Sequence, residues 1–399
     1  MLSVTQARAL VMGEARLLGE EVIPLSESLG RLTAEPLSAD RPLPPFDRVA
    51  MDGYAVRSAD LKSPGKLKLT GCVAAGDAPG LTVEPGCCVQ IMTGAVLPAG
   101  ADAVIEVEST QKDGEDIQFL RAAESGQHFI PEGSEAQPGQ EFFPVHQPIT
   151  AQLIAFLASI GKASVAVTKQ PRLAVLSTGN ELVGLDQVPK PYQIRDCNSW
   201  SILGQAKELG LPVQALGIAE DSEAALTEAI TKGLESADIL LLSGGVSMGE
   251  WDLVPKVLES LGIVKQFHKV KLKPGKPVWF GTGSGKWVFG LPGNPVSVQV
   301  CFKLFVEGLI LALAGHPDPE PQSICLPLQS AARKPAGRET YVAAKLVSDQ
   351  GKTWVQPVKM GGSGDFSGLG HTQGLFRFDG DATELQAGEP VWFTPWRRL

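Results

Sequence analysis

The sequence predicts a multidomain protein of mixed class, α/β plus β, organised around a doubly wound sheet. Three observations predict it. The chain is 399 residues long, too long for one core and enough for two to four domains. Residues 171–315 alternate buried-strand runs with helical patterns, the mark of a largely parallel sheet. The flanking stretches carry short β-prone runs between turns, in keeping with 44 glycines and 30 prolines, almost a fifth of the chain.

In chain order, helix formers from Ser3 to Met12 predict a first helix, and Pro24 opens a second ending near Gly30 and Arg31. The run from Arg41 to Asp47 is extended or turn-like, because each proline biases its predecessor away from the helix. Runs at Gly53–Arg57, Lys66–Thr70, Cys87–Met92, Ala103–Val107 and Asp116–Leu120 predict a small β module over 46–145. A helical pattern returns at Thr150–Ile160, so the module reads as an insertion into an elongated helical linker segment made of 1–45 and 146–170.

From 171 to 317, strands are expected at Leu173–Ser177, Val213–Ile218, Ile239–Ser243 and Val288–Leu291. Helices are expected at Asn198–Leu209, Ser222–Leu234, Val254–Leu261 and Val296–Ala314. Pro317, Pro319 and Pro321 form a linker. Runs at Tyr341–Val347, Thr353–Val358, Gly374–Phe378 and Pro390–Phe393 predict a small barrel over 318–399.

Composition excludes several classes. With 35 Lys and Arg against 44 Asp and Glu, the net charge is −9, which argues against a general nucleic-acid binder. A 43% hydrophobic fraction excludes a disordered chain. No 18-residue apolar stretch stands out, the best candidate being Phe305–Ala314 with Glu307 inside it, and MLSVTQARAL does not read as a signal peptide. A soluble, cytoplasmic protein with no membrane association is expected. The six cysteines include no C-x-x-C pair, so free, buried thiols are expected rather than disulfides or zinc.

Ligands of a doubly wound sheet gather beyond the carboxyl ends of its strands. Three strand-end loops there are unusual: Ser177-Thr-Gly-Asn-Glu-Leu, Ser243-Gly-Gly-Val-Ser-Met-Gly-Glu-Trp-Asp and Leu291-Pro-Gly-Asn-Pro-Val-Ser. Glycines let backbone N–H groups approach an anion, and the third loop opens a helix whose N-terminus favours negative charge. Ser247 and Ser297 add hydroxyls. Neither a P-loop nor a G-x-G-x-x-G fingerprint occurs. Lys271-Leu-Lys-Pro-Gly-Lys-Pro sets three ammonium groups around a rigid turn, and an anion is their natural partner. Glu181, Asp221, Glu250 and Asp252 lie in neighbouring loops, where carboxylates beside an anion imply a bridging Mg²⁺. In the β module, Asp47, Asp52 and Thr93 either bind a ligand or close turns, and residue chemistry leaves both open.

Six motifs together resemble the MoeA family, the molybdopterin molybdenumtransferases, whose eukaryotic relatives include the E domain of gephyrin. They are Pro44-Pro-Phe-Asp…Ala50-Met-Asp-Gly-Tyr-Ala, Ile91-Met-Thr-Gly-Ala, Ser177-Thr-Gly-Asn-Glu-Leu, Ser243-Gly-Gly-Val-Ser-Met-Gly, Lys273-Pro-Gly-Lys-Pro and Gly290-Leu-Pro-Gly-Asn-Pro-Val-Ser. The resemblance implies four domains, the α/β one being molybdopterin-binding and MogA-like. It implies an elongated homodimer whose cleft pairs the α/β domain of one subunit with the β module of the other. The implied reaction inserts molybdate into adenylylated molybdopterin and releases AMP with Mg²⁺ assistance, downstream of a molybdopterin adenylyltransferase.

Carried over by position, Asp52, Thr93, Glu181, Asp221 and Asp252 match catalytic positions, the last three also as metal ligands. Ser247, Lys273, Lys276, Gly293, Asn294 and Ser297 match the anion and molybdate pocket, with Arg338 and Ser363 as a molybdate-contacting pair. Asn180 stands where many members carry Asp, Arg48-Val49 replaces a commoner Asn-Ser, and Glu135 takes the place of an Asp. Two rivals remain: a gephyrin-like scaffold that binds without turnover, and a nucleotide hydrolase sharing the α/β domain. Competence-damage-inducible proteins of the latter kind lack the inserted β module and the barrel.

Overall fold

The apolar run at 173–178 forms strand Leu173–Thr178, in which all six residues are buried. In the computed structural model, which describes residues 1–246 and 253–398, this strand belongs to a six-stranded sheet. The strand order is Val213–Ala219, Leu173–Thr178, Ile239–Ser243, Lys286–Leu291, Trp279–Gly283, Val264–His268. The first four run parallel, and the last two are added by antiparallel pairing, so that only Trp279–Gly283 runs against the rest. From Leu173–Thr178 the chain crosses to Val213–Ala219 on one side, then returns to Ile239–Ser243 on the other. That reversal is a topological switch point, and it leaves a crevice beyond Thr178 and Ser243. Strands Val264–His268 and Trp279–Gly283 fall where the sequence pattern predicts none, between the helix expected at Val254–Leu261 and the strand expected at Val288–Leu291.

Helices cover both faces. Glu223–Ser236, capped by the Ser222 side chain on Ala225 N–H, and Val254–Ser260 pack Leu226, Ile230, Val257 and Leu258 on one face. The opposite face takes Val4, Ala7 and Val11 of the first helix, Val4–Gly13, and a continuous helical stretch from Pro295 to Leu313. A π-helical turn interrupts that stretch at Phe302–Val306.

The stretch corrects one expectation. Pro295–Leu313 has 19 residues and a mean hydropathy of 1.9, long and apolar enough to cross a membrane, yet 83% of its apolar window is buried inside the protein. Its two charges, Lys303 and Glu307, are tolerated in the interior because they meet each other at 2.8 Å. Lys303 Nζ also donates to Trp396 O at 3.0 Å.

The C-terminal strands Ile324–Pro327, Glu339–Asp349, Lys352–Pro357, Gly374–Phe378 and Pro390–Pro395 form a curled sheet. A bridge between Leu328 and Val355 joins its two edges and closes the barrel around Phe376, Phe378 and Phe393. The short strand Leu272–Lys273, from the lysine-rich turn, adds to it in parallel, with Leu272 opposite Glu339 and Lys273 opposite Thr340. All of this lies in one compact unit made of Met1–Val22, Gly30–Ala34 and Ala166–Leu399.

The second unit comprises Ile23–Leu29 and Glu35–Val165. Its main sheet has the order Ala103–Glu106, Gly53–Val56, Cys87–Ile91, Gly65–Val73, Asp116–Phe119, Thr110–Asp113. It buries Ile105, Ile117 and Phe119 on one face and Val89, Ile91 and Val104 on the other. The linker part is helical at Ala151–Ser159, capped by Thr150, and extended at Leu37–Ser38 and Glu141–Phe143, which pair. The helix expected from Pro24 is a single 3-10 turn, Leu25–Glu27. Leu25 N–H donates to Ala163 O, so the backbone bonds sideways there instead of forward. Of the six free thiols, only Cys88 and Cys301 are buried; Cys72 and Cys325 are exposed, against expectation.

Candidate active site

The three strand-end loops emerge level with one another, because Ser177 pairs with Ser243 and Ser243 with Leu291 in adjacent parallel registers. Asn198, at the start of helix Asn198–Glu208, ties two of them together. Its Nδ2 donates to Ser243 Oγ at 2.9 Å and to Gly293 O at 2.8 Å. The third loop then enters helix Pro295–Cys301, with proline at a position where a missing N–H costs nothing. Asn294 Nδ2 donates to Ser363 Oγ at 2.9 Å, and Val296 N–H donates to Ser363 O, so Ser363 is fastened to this helix start.

The lysine-rich turn is held from below and from the side. Gly275 has φ +110, and a Cβ there would stand 2.5 Å from Cys301 Sγ, so only glycine fits. The pairing of Lys273 with Thr340 brings the turn beside Arg338, which donates weakly to Leu272 O at 3.5 Å.

The result is a cleft of about 900 Å³. Of the site residues expected from sequence, it gathers Glu181, Lys273, Lys276, Gly293, Asn294, Ser297, Arg338 and Ser363. Ser297 is 3% exposed at the helix start, whereas Lys273, Lys276 and Arg338 are exposed. Two cations missed in the sequence, Arg333 and Lys334, also line the cleft. Arg333 is paired with Glu384 at 2.8 Å. Among the described residues no carboxylate lies within ion-pair distance of Lys273, Lys276, Lys334 or Arg338. In a chain of net charge −9 such a cluster focuses a positive potential on one place.

Asp221 does not line the cleft. Its carboxylate accepts from Thr178 Oγ1, and its N–H donates to Asn180 Oδ1 at 3.2 Å, which binds it to the loop that carries Glu181. Among the described residues no three His, Cys, Asp or Glu side chains converge on a metal position. Ser247, Glu250 and Asp252 lie outside the described residues.

Asp52 and Thr93 belong to the second unit. Gly53 pairs with Ile91, which brings the residues flanking that pair together. Thr93 Oγ1 and Thr93 N–H both donate to Asp52 Oδ1 at 2.7 Å. The hydroxyl first and the backbone N–H second hold the Asp52 carboxyl below its ordinary range. Asp47 accepts from Glu132 N–H at 2.8 Å, so it ties together two segments 85 residues apart. Arg48 and Glu135 face each other at 3.3 Å.

Fold and cleft together define a multidomain protein of the doubly wound class whose loops suit a ligand carrying several negative charges. Three family descriptions match the sequence: MoeA N-terminal region (domain I and II) over 2–161, probable molybdopterin binding domain over 174–312, and MoeA C-terminal region (domain IV) over 326–396. The chain belongs to the MoeA family, the molybdopterin molybdenumtransferases, which are transferases of molybdenum cofactor biosynthesis. A molybdopterin molybdenumtransferase from Haemophilus influenzae is 33% identical over 100% of both chains. One from Nostoc is 35% identical over 82% of this chain and 77% of its own. The crystal structure of a molybdopterin biosynthesis MoeA protein from Pyrococcus horikoshii superposes with a TM-score of 0.85 at 31% identity, covering 100% of both chains.

Proposed function

We propose that this chain inserts molybdate into adenylylated molybdopterin and releases AMP. The observation that carries the reading is the cationic cleft, where Lys273, Lys276 and Arg338 converge from sequence-distant segments beside the buried Ser297. The three cations hold the molybdate oxyanion, and Ser297 with the helix start orients the phosphates of the pterin. The two dithiolene sulfurs replace two molybdate oxygens, which leave as water, and a water molecule hydrolyses the phosphoanhydride as AMP leaves. Fixing both reactants in one cleft and neutralising their charge supplies most of the rate.

The oxygen donors of Glu181 and Asp221 fit a hard cation such as Mg²⁺, which takes one or two carboxylates when substrate phosphates complete its shell. These two residues, with Asp252 as the third, would hold it. When bound, the ion would polarise the phosphoanhydride. The assembly proposed is a homodimer in which Asp52 and Thr93 of one subunit complete the cleft of the other. Its four parts would be 1–45 with 146–170, 46–145, 171–317 and 318–399. A cytoplasmic location and a molybdopterin adenylyltransferase as supplier of the substrate complete the reading.

Purified protein incubated with adenylylated molybdopterin should release AMP only when molybdate is added. AMP release without molybdate would point to a nucleotide hydrolase instead. Tight pterin binding with no AMP release at any molybdate concentration would point to a scaffold.

A further inference from the structure

Lys334 lines the cleft from the barrel side, and it is 9% exposed. An ammonium so buried normally has a carboxylate partner; among the described residues Lys334 has none. Its Nζ instead donates to Arg338 O at 3.1 Å and to Gly380 O at 2.9 Å, and it stands 5.1 Å from the centre of the Phe378 ring. Both carbonyls are anchored a second time. Arg338 O also accepts from Thr340 Oγ1 at 3.1 Å, and Gly380 O from Gly337 N–H at 2.9 Å. Gly337 has φ +103, so the turn that delivers Arg338 is one that side chains resist.

We infer that Lys334 is the positioning residue for Arg338. By closing the 334–338 turn against Gly380, its ammonium fixes the backbone from which the Arg338 guanidinium reaches the oxyanion. The inference rests on the reading of the cleft as an anion site, and the test separates the two.

The full-length protein is titrated calorimetrically with sodium molybdate and, separately, with inorganic pyrophosphate. Lys334→Met keeps an apolar stem over Phe378 and should weaken both anions about tenfold, the size of one lost charge-assisted contact. In an Arg338→Ala background the same substitution should change affinity by less than about twofold, because it acts through the guanidinium. A purely structural role would give the same loss in both backgrounds, and that result, or no loss at all, overturns the inference. Gly337→Ala strains the turn without touching Lys334, and its loss should likewise vanish in the Arg338→Ala background. It carries the test if Lys334→Met does not fold, and a loss that persists there overturns the inference. If wild type takes up pyrophosphate with this coupling but not molybdate, the positioning role stands and the molybdate reading falls. If wild type takes up neither anion, both are overturned.

Discussion

Thr93 donates its hydroxyl and its backbone N–H to the same carboxylate oxygen of Asp52, each at 2.7 Å. The pair is exposed, so its consequence is a titration rather than a large contribution to stability. Because the folded carboxyl titrates below its ordinary range, the clamp is complete above that range and is lost as pH falls through the lowered value. Thr93→Val removes the larger of the two causes and keeps the N–H. Carbon-detected NMR of the Asp52 carboxyl should then show its titration moving up towards the ordinary range, and Thr93→Ser should restore it. An unchanged titration in Thr93→Val would break the link between the two residues.

Lys276 sits exposed on a turn whose shape depends on Gly275 and Cys301, not on the lysine side chain. Lys276→Ala therefore removes a point charge and no core volume. Loss of one charge-assisted contact is worth roughly 1.5–3 kcal/mol, which is about ten- to a hundredfold in molybdate affinity. Calorimetry should show that loss while the melting temperature stays put. Unchanged molybdate affinity would remove Lys276 from the pocket.

What the sequence showed, and what it hid, follows from the range of the interactions. Leu173–Thr178 and Ile239–Ser243 are legible because a strand buried on both faces needs an unbroken apolar run. The glycine-rich loops are legible because a tight strand-end turn is a local demand on composition. Val264–His268 and Trp279–Gly283 escaped: the first exposes Val264 and Lys265, and the second contains two glycines, so neither keeps a clean period. Leu272–Lys273 is a strand of two residues whose partner lies in another part of the chain, which no local pattern records. Lys334 and Asn198 were missed for the same reason. Their partners, Gly380 O and Gly293 O, are backbone atoms 46 and 95 residues away, and a backbone carbonyl has no sequence signature.

Asn198 joins the ends of two strands through both N–H bonds of one amide. Asn198→Ala leaves the Ser243 hydroxyl and the Gly293 carbonyl without that donor in a site where Asn198 itself is 9% exposed. The expected cost is about 1–3 kcal/mol in urea-induced unfolding. Anion affinity should fall as well, since the loop entering helix Pro295–Cys301 loses its register with the Ser243 loop. Asn198→Asp should not rescue, because a carboxylate cannot donate to Gly293 O. A stability unchanged within error in Asn198→Ala would show that the two loops hold themselves.

The amide oxygen of Asn180 accepts the N–H of Asp221 at 3.2 Å. Asn180→Asp keeps an acceptor in that place and adds a negative charge beside Asp221, in the loop that carries Glu181. Without a cation the new like charge should lower the melting temperature, because neighbouring carboxylates disfavour each other's ionised forms. With Mg²⁺ present the loss should be recovered, since an ion that binds only the folded state stabilises it by mass action. Wild type alone should bind Mg²⁺ weakly in calorimetry, and pyrophosphate should tighten it by supplying the missing oxygens. Asp221→Ala should abolish that tightening while leaving pyrophosphate affinity in the absence of metal nearly unchanged, because Asp221 stands outside the cationic cleft. If Asn180→Asp gains no Mg²⁺ affinity and no Mg²⁺-dependent rise in melting temperature, the cation does not bind between Glu181 and Asp221.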